Sequence, residues 1–461
     1  MDYIENGGSK AIIIGLSDTD EKVCAAGGRI STQAGSAMEI WAKSQDKEKN
    51  ASLINKVTKS GHNSTVEHAY YNIVFENVSV TVEQFMIEYR LASFTVKSRR
   101  YVDFGEVGYY TPDFENDTLK DEFTAHIDGL FKIYQELTDN GIPKEDARFV
   151  LPYCFRSNFI CSLNAREFLH VLHGMLHGRG AKYPEIYNLG KQLAEQAEKL
   201  TPGIMADFEN RKPLLCDEID LSFIDAENSQ SDNLTELLGY TQDFDKLIAR
   251  AALVTEKQIP TAQVEKIIAD NEMRSKIIEA VINCSRPRAL EAANFTFRIN
   301  RVSLATITHF SRHRMQSLEI PNIHASDRES YIIPDTVKAD EKMLAIYKSA
   351  FEKNVQIYNK FKALNVCDST LTYLLLAGNT LDIVLTMNAR ELLLFFKLRT
   401  CTRAQWEIQI YANEMLDTLR KLSPMVFKHF GPSCYTTGKC PEGRLSCGRA
   451  NEIKEKFSFN L

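Results

Sequence analysis

The stretch Asn77–Arg90 reads NVSVTVEQFMIEYR, and Arg301–Arg314 reads RVSLATITHFSRHR, 224 positions later (301 − 77). The same separation joins Asn164-Ala165-Arg166-Glu167 to Asn388-Ala389-Arg390-Glu391, and it joins Glu67 to Glu291. A constant offset over a long part of a chain indicates that one domain was duplicated and fused. We therefore predict two tandem copies, a first copy over residues 1–225 and a second over 232–461, and we expect function to follow from the polar residues that each copy has kept.

The bulk composition is that of an ordinary soluble globular protein, with 461 residues, 44% apolar and 25% charged residues. A net charge of -6 gives no electrostatic reason to expect nucleic acid or an anionic membrane as partner. The start MDYIENGGSKAIIIGL lacks the basic region of a secretory signal. The apolar stretch 371–387 is interrupted by polar residues, so we expect a buried core segment there. Ten scattered cysteines are typical of reduced thiols, and we expect a cytoplasmic protein without membrane spans.

Each copy repeats one order of elements: a short strand, a helix, a polar turn, an alternating strand and a further helix, then a long helical region. The alternating strands cover 70–76 and 294–300, where apolar residues recur with a period of two. The acidic, Ser/Asn-rich segment Cys216–Asn233 is predicted to link the copies. The tail 431–448 is predicted to be a loop. Helices are predicted over 82–90, 165–176 and 185–200 in the first copy, and over 306–314, 389–399 and 404–422 in the second.

Arg312-His313-Arg314 is the most conspicuous basic cluster, at the end of a predicted apolar helix. One interpretation is a solvated helix end, where cations meet the negative end of the helix dipole. The other is a site for phosphate or a polyanionic cofactor, because arginine grips phosphate oxygens with two parallel hydrogen bonds. Asn388-Ala389-Arg390 opens a helix and occurs in both copies, which suits helix capping combined with an anion contact.

Two metal hypotheses stay open beside our prediction of no metal. Cys434, Cys440 and Cys447 form a loose trio that His429 would complete, although their spacing is not that of a zinc ribbon. The other group is His170, His173 and His177, which share one helix face at spacings of three and four.

The stretch EYRLASFTVKSRRYV, over 88–102, resembles the signature of the flavin-dependent (alternative) thymidylate synthases: Arg-His-Arg, seven residues, then Ser, a gap, Arg and Tyr. The first copy keeps Arg90, Ser98, Arg100 and Tyr101 but has Glu88 and Tyr89 in place of Arg-His. The second copy keeps the full triplet but has Asn322 and His324 where Ser and Arg are expected. GHNSTVEHA at 61–69, ARFVLP at 147–152 and the long stretch 386–416 are similar to further segments of the same family.

The resemblance implies an α+β fold, with a mixed sheet and long helices, in two tandem copies that form a pseudo-dimer. It implies FAD as cofactor, dUMP as the nucleotide methylated at C5 to dTMP, and methylenetetrahydrofolate and NADPH as co-substrates. Because family members are homotetramers, it also implies a homodimer of this tandem chain. The residues implied to bind the cofactor are Arg312, His313, Arg314, Asn388, Arg390, Ser64 and His170. Those implied to bind the substrate are Ser98, Arg99, Arg100, Arg148, His309, Arg312 and Arg399, and Arg399 and Ser98 are the implied catalytic residues.

The two copies have lost different parts of this set. The second copy keeps the flavin residues but has Thr372 at the position of Arg148. The first copy has Met175 at the position of Arg399, or His177 if a two-residue length difference falls upstream. We therefore predict composite sites between the copies, with about one flavin per chain. Two alternatives remain open: a related flavoenzyme acting at C5 of another pyrimidine nucleotide, and a non-catalytic homologue that binds flavin or nucleotide.

Overall fold

The computed structural model describes residues 8–458 except 18–20, 101, 106, 213–218, 220, 222 and 225–232. Most of the predicted link Cys216–Asn233 therefore lies outside the described residues, and so does the signature residue Tyr101. The chain forms two compact units. Unit 1 comprises Met1–Glu227 and Tyr331–Asn379, and unit 2 comprises Asn228–Ser330 and Thr380–Leu461. The repeat boundary itself stays a prediction.

The strands are short and fall into two sheets. Their bounds are β1 Lys10–Leu16, β2 Tyr70–Ser79, β3 Ser93–Val96, β4 Arg156–Asn164, β5 Thr235–Tyr240, β6 Asn294–Ser303, β7 Ser317–Glu319, β8 Asp327–Tyr331 and β9 Asn379–Asn388. The first sheet has the order β1-β2-β4-β3, and the second has β5-β6-β9-β7 with β8 also paired to β9. The α+β class is confirmed. The ladders along both orders are antiparallel, whereas the prediction had a mixed sheet.

The helices of the first copy are α1 Lys22–Ile30, α2 Ala37–Lys43, α3 Lys47–Lys59, α4 Val80–Ile87, α5 Asp117–Asp139, α6 Lys144–Ala147, α7 Ala165–Leu176, α8 Pro184–Leu200 and α9 Pro202–Met205. Those of the second copy are α10 Phe244–Lys257, α11 Thr261–Ala269, α12 Asn271–Ile282, α13 Leu304–Phe310, α14 Asp335–Lys338, α15 Glu341–Ala363, α16 Asp368–Leu371, α17 Ala389–Arg399, α18 Trp406–Leu422, α19 Pro424–Phe427, α20 Ser433–Thr436 and α21 Ala450–Phe457. Short 3₁₀ turns, including Asn63–His68 and Arg288–Ala292, join them.

The two copies share even their backbone irregularities. β2 and β6 are interrupted at equivalent points, and the residues there, Asn77 and Arg301, have positive φ angles of 52° and 55°. The edge strands β1 and β5 shift register at Gly15 and Gly239, again 224 apart. Bulges are heritable features of a fold, so their coincidence supports the duplication independently of the side chains.

Unit 1 contains a two-fold relation between segments of the two copies. An antiparallel bridge joins Pro152 to Leu376, which are equivalent positions. The backbone N–H of Tyr153 donates to the carbonyl of Leu375 over 2.7 Å, and the N–H of Ala377 donates to Leu151 over 2.9 Å. Each bond is the counterpart of the other under the 224-residue offset, and the equivalent helices α5 and α15 pack together beside them. A self-complementary contact of this kind is the mark of a two-fold interface.

Several predicted helix ends differ from the observed ones. The predictions for α7 and α17 are confirmed, and α8 and α18 begin within two residues of the predicted starts. The helices predicted to run to Arg90 and Arg314 end earlier, at Ile87 and Phe310, so placing the basic triplet on a helix was wrong. The physical reason is burial: every residue of α13 is buried, and a helix continued in that direction would take charged side chains into the core.

Candidate active site

The basic triplet lies in unit 2, on the turn that follows α13. Ser303 caps this helix by accepting a hydrogen bond from the Thr306 N–H. The carboxylate of Glu407, 2% exposed, accepts from the Ser303 backbone N–H at 2.8 Å and from the Thr306 hydroxyl at 2.7 Å, and it also accepts from the Ser303 hydroxyl. These buried bonds fix the start of α13 against α18, and therefore fix where the helix ends and the triplet begins.

Within the triplet, the two arginines and the histidine have different environments. Arg312 and Arg314 are exposed, whereas His313 is 4% exposed and packs its ring edge-on against Phe395 at 4.9 Å. A buried side chain between two exposed cations holds the turn in place and leaves the charges facing solvent. Such a pair of guanidinium groups suits phosphate oxygens.

His313 connects two side chains of α17. Its Nδ1 lies 3.1 Å from Glu391 Oε1, and its Nε2 lies 3.0 Å from Arg399 Nε. Because an arginine only donates, Nε2 must accept, and the proton of the neutral ring is on Nδ1, which donates to Glu391. Arg399 also donates to the carbonyl of His309 at 3.1 Å. The buried Glu391 and His313 and the half-buried Arg399 thus form a brace, which we call the triplet brace.

The ring of His313 is held in its neutral form by its surroundings. Burial lowers its pKa, and the nearby charges of Arg399 and Arg312 act in the same direction. The hydrogen bond to Glu391 acts in the opposite direction. A neutral ring can accept from Arg399, so the low pKa keeps the triplet brace intact near neutral pH.

The Asn-Ala-Arg segment that both copies retain has a structural role in both. Asn388 caps α17 by accepting from the Glu391 N–H at 2.9 Å, and Arg390 pairs with Glu291. The first copy repeats both features: Asn164 caps α7, and Arg166 pairs with Glu67 at 2.7 Å. Conservation between the copies at these positions therefore follows from the fold and is not by itself a sign of ligand binding.

At the equivalent place in unit 1, other side chains occupy the position of the brace. Glu88 forms an ion pair with Arg179 at 2.5 Å. Tyr89 stands where His313 stands in the second copy, and its hydroxyl lies where a Cβ on Gly174 would be. Met175, the counterpart of Arg399, is fully buried. A paired carboxylate and a tyrosine packed on a glycine do not fit a pyrophosphate.

The nucleotide motif of the first copy also lies in unit 1. Ser98 is half-buried and accepts from the Arg100 backbone N–H at 3.3 Å. Arg100 Nε pairs with Glu145 at 2.7 Å, and Arg148 Nε donates to the Glu145 carbonyl at 3.1 Å. The structure thus brings Arg100 and Arg148 together around Glu145.

Arg99 is set apart from this group by its burial. It is 7% exposed and forms an ion pair with Glu83, whose other oxygen accepts from the Ser157 hydroxyl at 2.6 Å. The ion pair ties Arg99 to α4, and the bond from Ser157 to Glu83 joins α4 to β4.

The remaining predicted site residues lie in varied surroundings. Ser64 is exposed on a 3₁₀ turn, and the His170 side chain is 68% exposed beside Glu167. His309 is buried within α13. Thr372, at the position of Arg148, is fully buried and donates to the Asp368 carbonyl at 2.8 Å. In the part of the chain that the structure describes, no three His, Cys, Asp or Glu side chains are close enough as they stand to hold a metal ion.

Sequence reasoning missed three residues that hold the two site regions in place. They are Glu391 and Glu407 beside the basic triplet and Glu145 beside Arg100 and Arg148. Glu391 carried a signal, because it is the last residue of the repeated Asn-Ala-Arg-Glu segment. Glu407 lies within the family-like stretch 386–416, which was its signal, whereas nothing in the local pattern around Glu145 distinguishes it from a solvated residue.

The duplicated α+β fold presents two exposed arginines on a braced turn, an arrangement that suits the binding of an anion. The family described as "Thymidylate synthase complementing protein" matches residues 13–203 and 236–425, well over half of the chain. The chain belongs to this family, and both regions of the match agree with the predicted tandem copies.

Curated relatives are named flavin-dependent thymidylate synthases, which are methyltransferases. The one from Clostridium tetani is 32% identical over 240 residues, covering 48% of this chain and 96% of its own length. The one from Geobacter sulfurreducens is 32% identical over 48% of this chain and 96% of its own length, and the one from Saccharolobus solfataricus is 35% identical over 43% and 77%. Each relative thus corresponds to one copy.

Solved structures include a UMP/dUMP methylase, PolB, from Streptomyces cacaoi, bound with 5-Br dUMP. It is 21% identical, covers 45% of this chain and 97% of its own, and has a TM-score of 0.39, which is too low to support a functional argument. No helix among the described residues has the length and apolarity needed to cross a membrane.

Proposed function

We propose that this chain is a flavin-dependent thymidylate synthase that methylates dUMP at C5 to give dTMP, using methylenetetrahydrofolate and NADPH through FAD. The observation that carries the proposal is the triplet brace, in which His313 is buried between Glu391 and Arg399 while Arg312 and Arg314 face solvent. The relatives' common name supports flavin as the cofactor. We further propose a cytoplasmic homodimer of the tandem chain.

In this proposal the second copy holds the cofactor. Arg312 and Arg314 bind the FAD phosphates, with Arg390 and the start of α17 at Asn388 beside them, and Ser64 and His170 contribute from a first copy. FAD, when bound and reduced, supplies the hydride equivalent that completes the methyl group. The first copy's own triplet position does not fit a flavin, because Glu88 is paired with Arg179 and Tyr89 packs on Gly174.

The first copy binds the nucleotide in this proposal. Ser98, Arg100 and Arg148 bind the phosphate and sugar of dUMP, and Arg399 polarises the uracil ring, helped by His309 and Arg312. We assign Arg99 to holding the motif in place through Glu83. The resemblance implies that the arginine equivalent to Arg148 acts from the copy that carries the triplet, where Thr372 stands. A lost Arg–phosphate contact costs about 1.5–3 kcal/mol, which is roughly ten- to a hundredfold in affinity.

The division of labour is tested with matched substitutions at equivalent positions. Arg312→Glu gives the second copy the residue of the first, and Glu88→Arg does the reverse. We expect Arg312→Glu to abolish flavin binding and Glu88→Arg to leave it at about one flavin per chain. Loss of flavin in the Glu88→Arg variant, or two equivalent flavins in the natural chain, would contradict the proposal.

The reaction is tested by release of tritium from [5-³H]dUMP with NADPH and methylenetetrahydrofolate. We expect release by the natural chain, and a large loss in Ser98→Ala with little change in Asn322→Ala, the equivalent position of the second copy. A flavin spectrum without tritium release would favour another pyrimidine nucleotide. Absence of flavin would favour the non-catalytic alternative.

A further inference from the structure

The first and second copies meet in unit 1 along equivalent helices. α5 and α15 have 23 residues each and lie at the same 224-residue offset (341 − 117), and they pack against each other. In a contact between two identical surfaces, every bond occurs twice with its partners exchanged. The backbone bonds of Tyr153 and Ala377 follow this rule. The polar side chains of the two helices do not, so the contact distinguishes one copy from the other.

The two helices carry opposite net charge. Their Lys, Arg, Asp and Glu side chains give α5 a net charge of −4 (2 − 6) and α15 a net charge of +3 (5 − 2). Across the contact, Lys360 Nζ lies 2.7 Å from Glu122, and Lys342 Nζ lies 3.7 Å from Glu136. Glu136 and Lys360 occupy the same position of their copies (360 − 136 = 224), so this position has opposite charge in the two copies.

The offset also shows which charges would meet in a like pair, by which we mean two first copies or two second copies. The partner of Glu122 would then be Glu136 (360 − 224), and the partner of Lys342 would be Lys360 (136 + 224). Two first copies would thus set carboxylate against carboxylate, and two second copies would set ammonium against ammonium. Attraction in the unlike pair becomes repulsion in both like pairs, which is how charged contacts suppress wrong partners.

A buried hydrogen bond between the same helices is equally one-sided. The amide of Asn354, 1% exposed, donates to the carbonyl of Leu374 at 2.8 Å, so its oxygen accepts from His126 Nε2 at 2.9 Å. The first copy has Leu130 at the position of Asn354, and the second has Ala350 at the position of His126. A like pair would therefore leave the buried ring or the buried amide without this partner, which costs more than the bond itself contributes.

The bond from Tyr373 to Glu185 has the same property. Glu185, 2% exposed, accepts from the Tyr373 hydroxyl at 3.1 Å, in addition to the Ser79 N–H at 2.9 Å and the Ser9 hydroxyl at 2.6 Å. The first copy has Phe149 at the position of Tyr373 (373 − 224). A pair of first copies would lose this donor to a buried carboxylate.

We propose that the α5–α15 contact, together with the Tyr373–Glu185 bond, is a recognition surface that selects an unlike copy of the domain. A first copy takes a second copy as its partner in preference to another first copy, because only that pairing matches the charges and satisfies the buried polar groups. A like pair keeps the backbone bonds and loses these contacts, so it forms where no unlike copy is available. The inference concerns the choice of partner and does not rest on the proposed function.

The first experiment turns the contact into a like pair within one full-length chain. The triple variant Asn354→Leu/Lys360→Glu/Tyr373→Phe gives the second copy the residues of the first at three contact positions. We expect a lower urea midpoint for unit 1, and the shift measures the preference for the unlike copy. The fluorescence of Trp41 reports on unit 1 when Trp406, in unit 2, is replaced by Phe in every chain compared.

The second experiment exchanges one ion pair and keeps the result independent of any general damage to folding. Lys360→Glu and Glu122→Lys should each raise the equilibrium constant of unfolding about two- to fivefold, the range of exposed ion pairs. The double variant Glu122→Lys/Lys360→Glu should return close to the natural value. The matched control is Lys362→Glu, the same charge change on the same helix, where the side chain lies over the Tyr358 ring. Its effect should simply add to that of Glu122→Lys.

Two outcomes would overturn the proposal. One is a triple variant as stable as the natural chain, and the other is a double exchange as unstable as the sum of its single changes. Flavin and nucleotide are absent from both experiments, so either outcome leaves the tests of the proposed function unaffected.

Discussion

At the scale of single residues, the Arg-His-Arg triplet separates into two functions that its sequence does not distinguish. The arginines face solvent, while His313 is buried and joins Glu391 to Arg399. A sequence motif records which residues occur together, but not which of them touches a ligand. The brace depends on the packing of α13 against α17, which is a contact between segments about eighty positions apart, and no local pattern reports it.

Removing the central side chain of the brace should affect both stability and flavin binding. We expect His313→Ala to lower the free energy of unfolding by about 1–3 kcal/mol, because two buried polar partners lose their bonds. The affinity for FAD should also fall, since the turn is no longer fixed. Urea unfolding and fluorescence titration measure the two effects. Tyr89→Ala, the equivalent change in the first copy, should affect stability alone, and an equal loss of flavin affinity there would count against separate roles.

His173 predicts a dependence of stability on pH. Burial, together with the charges of His177, Arg211 and His170, lowers its pKa to about 4, and its ring stacks on Phe208 at 4.2 Å. In the unfolded chain the pKa is about 6.5. The unfolded state thus binds more protons between these values, and the contribution of His173 is present above pH 6.5 and lost as pH falls toward 4.

We expect His173→Gln to reduce the slope of unfolding free energy against pH in that window. Urea unfolding at several pH values from neutral to about 4 measures the slope. His62→Gln, on an exposed turn, is the control for the removal of a surface histidine. Identical slopes in the natural chain and the His173 variant would show that this ring does not titrate differently on folding.

At the scale of elements, the sequence predicted the helices that open with a repeated capping motif, because Asn164 and Asn388 mark their first residues. It missed the long helices α5 and α15. In α5 the buried residues recur at helical spacing, so the sequence does carry the pattern of this helix: Phe123, Ile127, Leu130, Tyr134 and Leu137. The residue at which α13 ends could not be predicted from the sequence, because it is set by the burial of this helix against α18.

Asn388 allows capping to be separated from cofactor binding. Asn388→Ala should cost about 1 kcal/mol of stability through the lost cap, and Asn388→Ser should restore most of it, because serine caps equally well. If Asn388 also contacts FAD as proposed, flavin affinity should stay low in the serine variant. Thermal unfolding and flavin titration give the two readings. Asn164→Ala provides the control, with loss of stability and unchanged flavin affinity.

The contact between Tyr89 and Gly174 predicts that replacing this helix glycine by alanine destabilises the protein, which is the opposite of the usual effect. Alanine normally stabilises a helix interior by up to about 1 kcal/mol relative to glycine. At Gly174 the added Cβ would meet the Tyr89 hydroxyl, so we expect Gly174→Ala to destabilise by roughly 1–3 kcal/mol. Tyr89→Phe removes the hydroxyl and should recover part of this loss in the double variant. Urea unfolding of the three variants measures the coupling, and strict additivity would contradict the contact.

At the scale of the whole molecule, the compact units do not coincide with the repeats. The segment Tyr331–Asn379 belongs to the second copy by the 224-residue offset, yet it packs within unit 1. There His126 Nε2 lies 2.9 Å from Asn354, and Tyr373 donates to the buried Glu185 at 3.1 Å. An internal repeat shows which residues are equivalent, but it does not show which copy a segment packs against. This arrangement was therefore not predictable from the sequence.

Because unit 1 contains segments from both copies, it predicts the oligomeric state of an isolated first copy. A fragment of residues 1–227 lacks the segment Tyr331–Asn379 of unit 1. Phe149, Tyr153 and Leu151 would then lose residues that pack against them. We expect it to form a homodimer, because the backbone of 151–153 bonds to its own equivalent positions. Light scattering after size-exclusion chromatography measures the mass. Tyr153→Pro removes the donated bond and should weaken the dimer, and a stable monomer would contradict the expectation.

The bridge between Pro152 and Leu376 has a consequence for how such a chain can evolve. In a homo-oligomer every substitution appears in all subunits at once, so exchanging an arginine for glutamate in the triplet would damage every site together. Here the two sides of the two-fold contact are encoded separately and joined by one backbone, so their encounter is intramolecular and insensitive to dilution. Each side was therefore free to lose what the other retained. In the proposed division of labour, Glu88 and Thr372 are losses of that kind, one on each side.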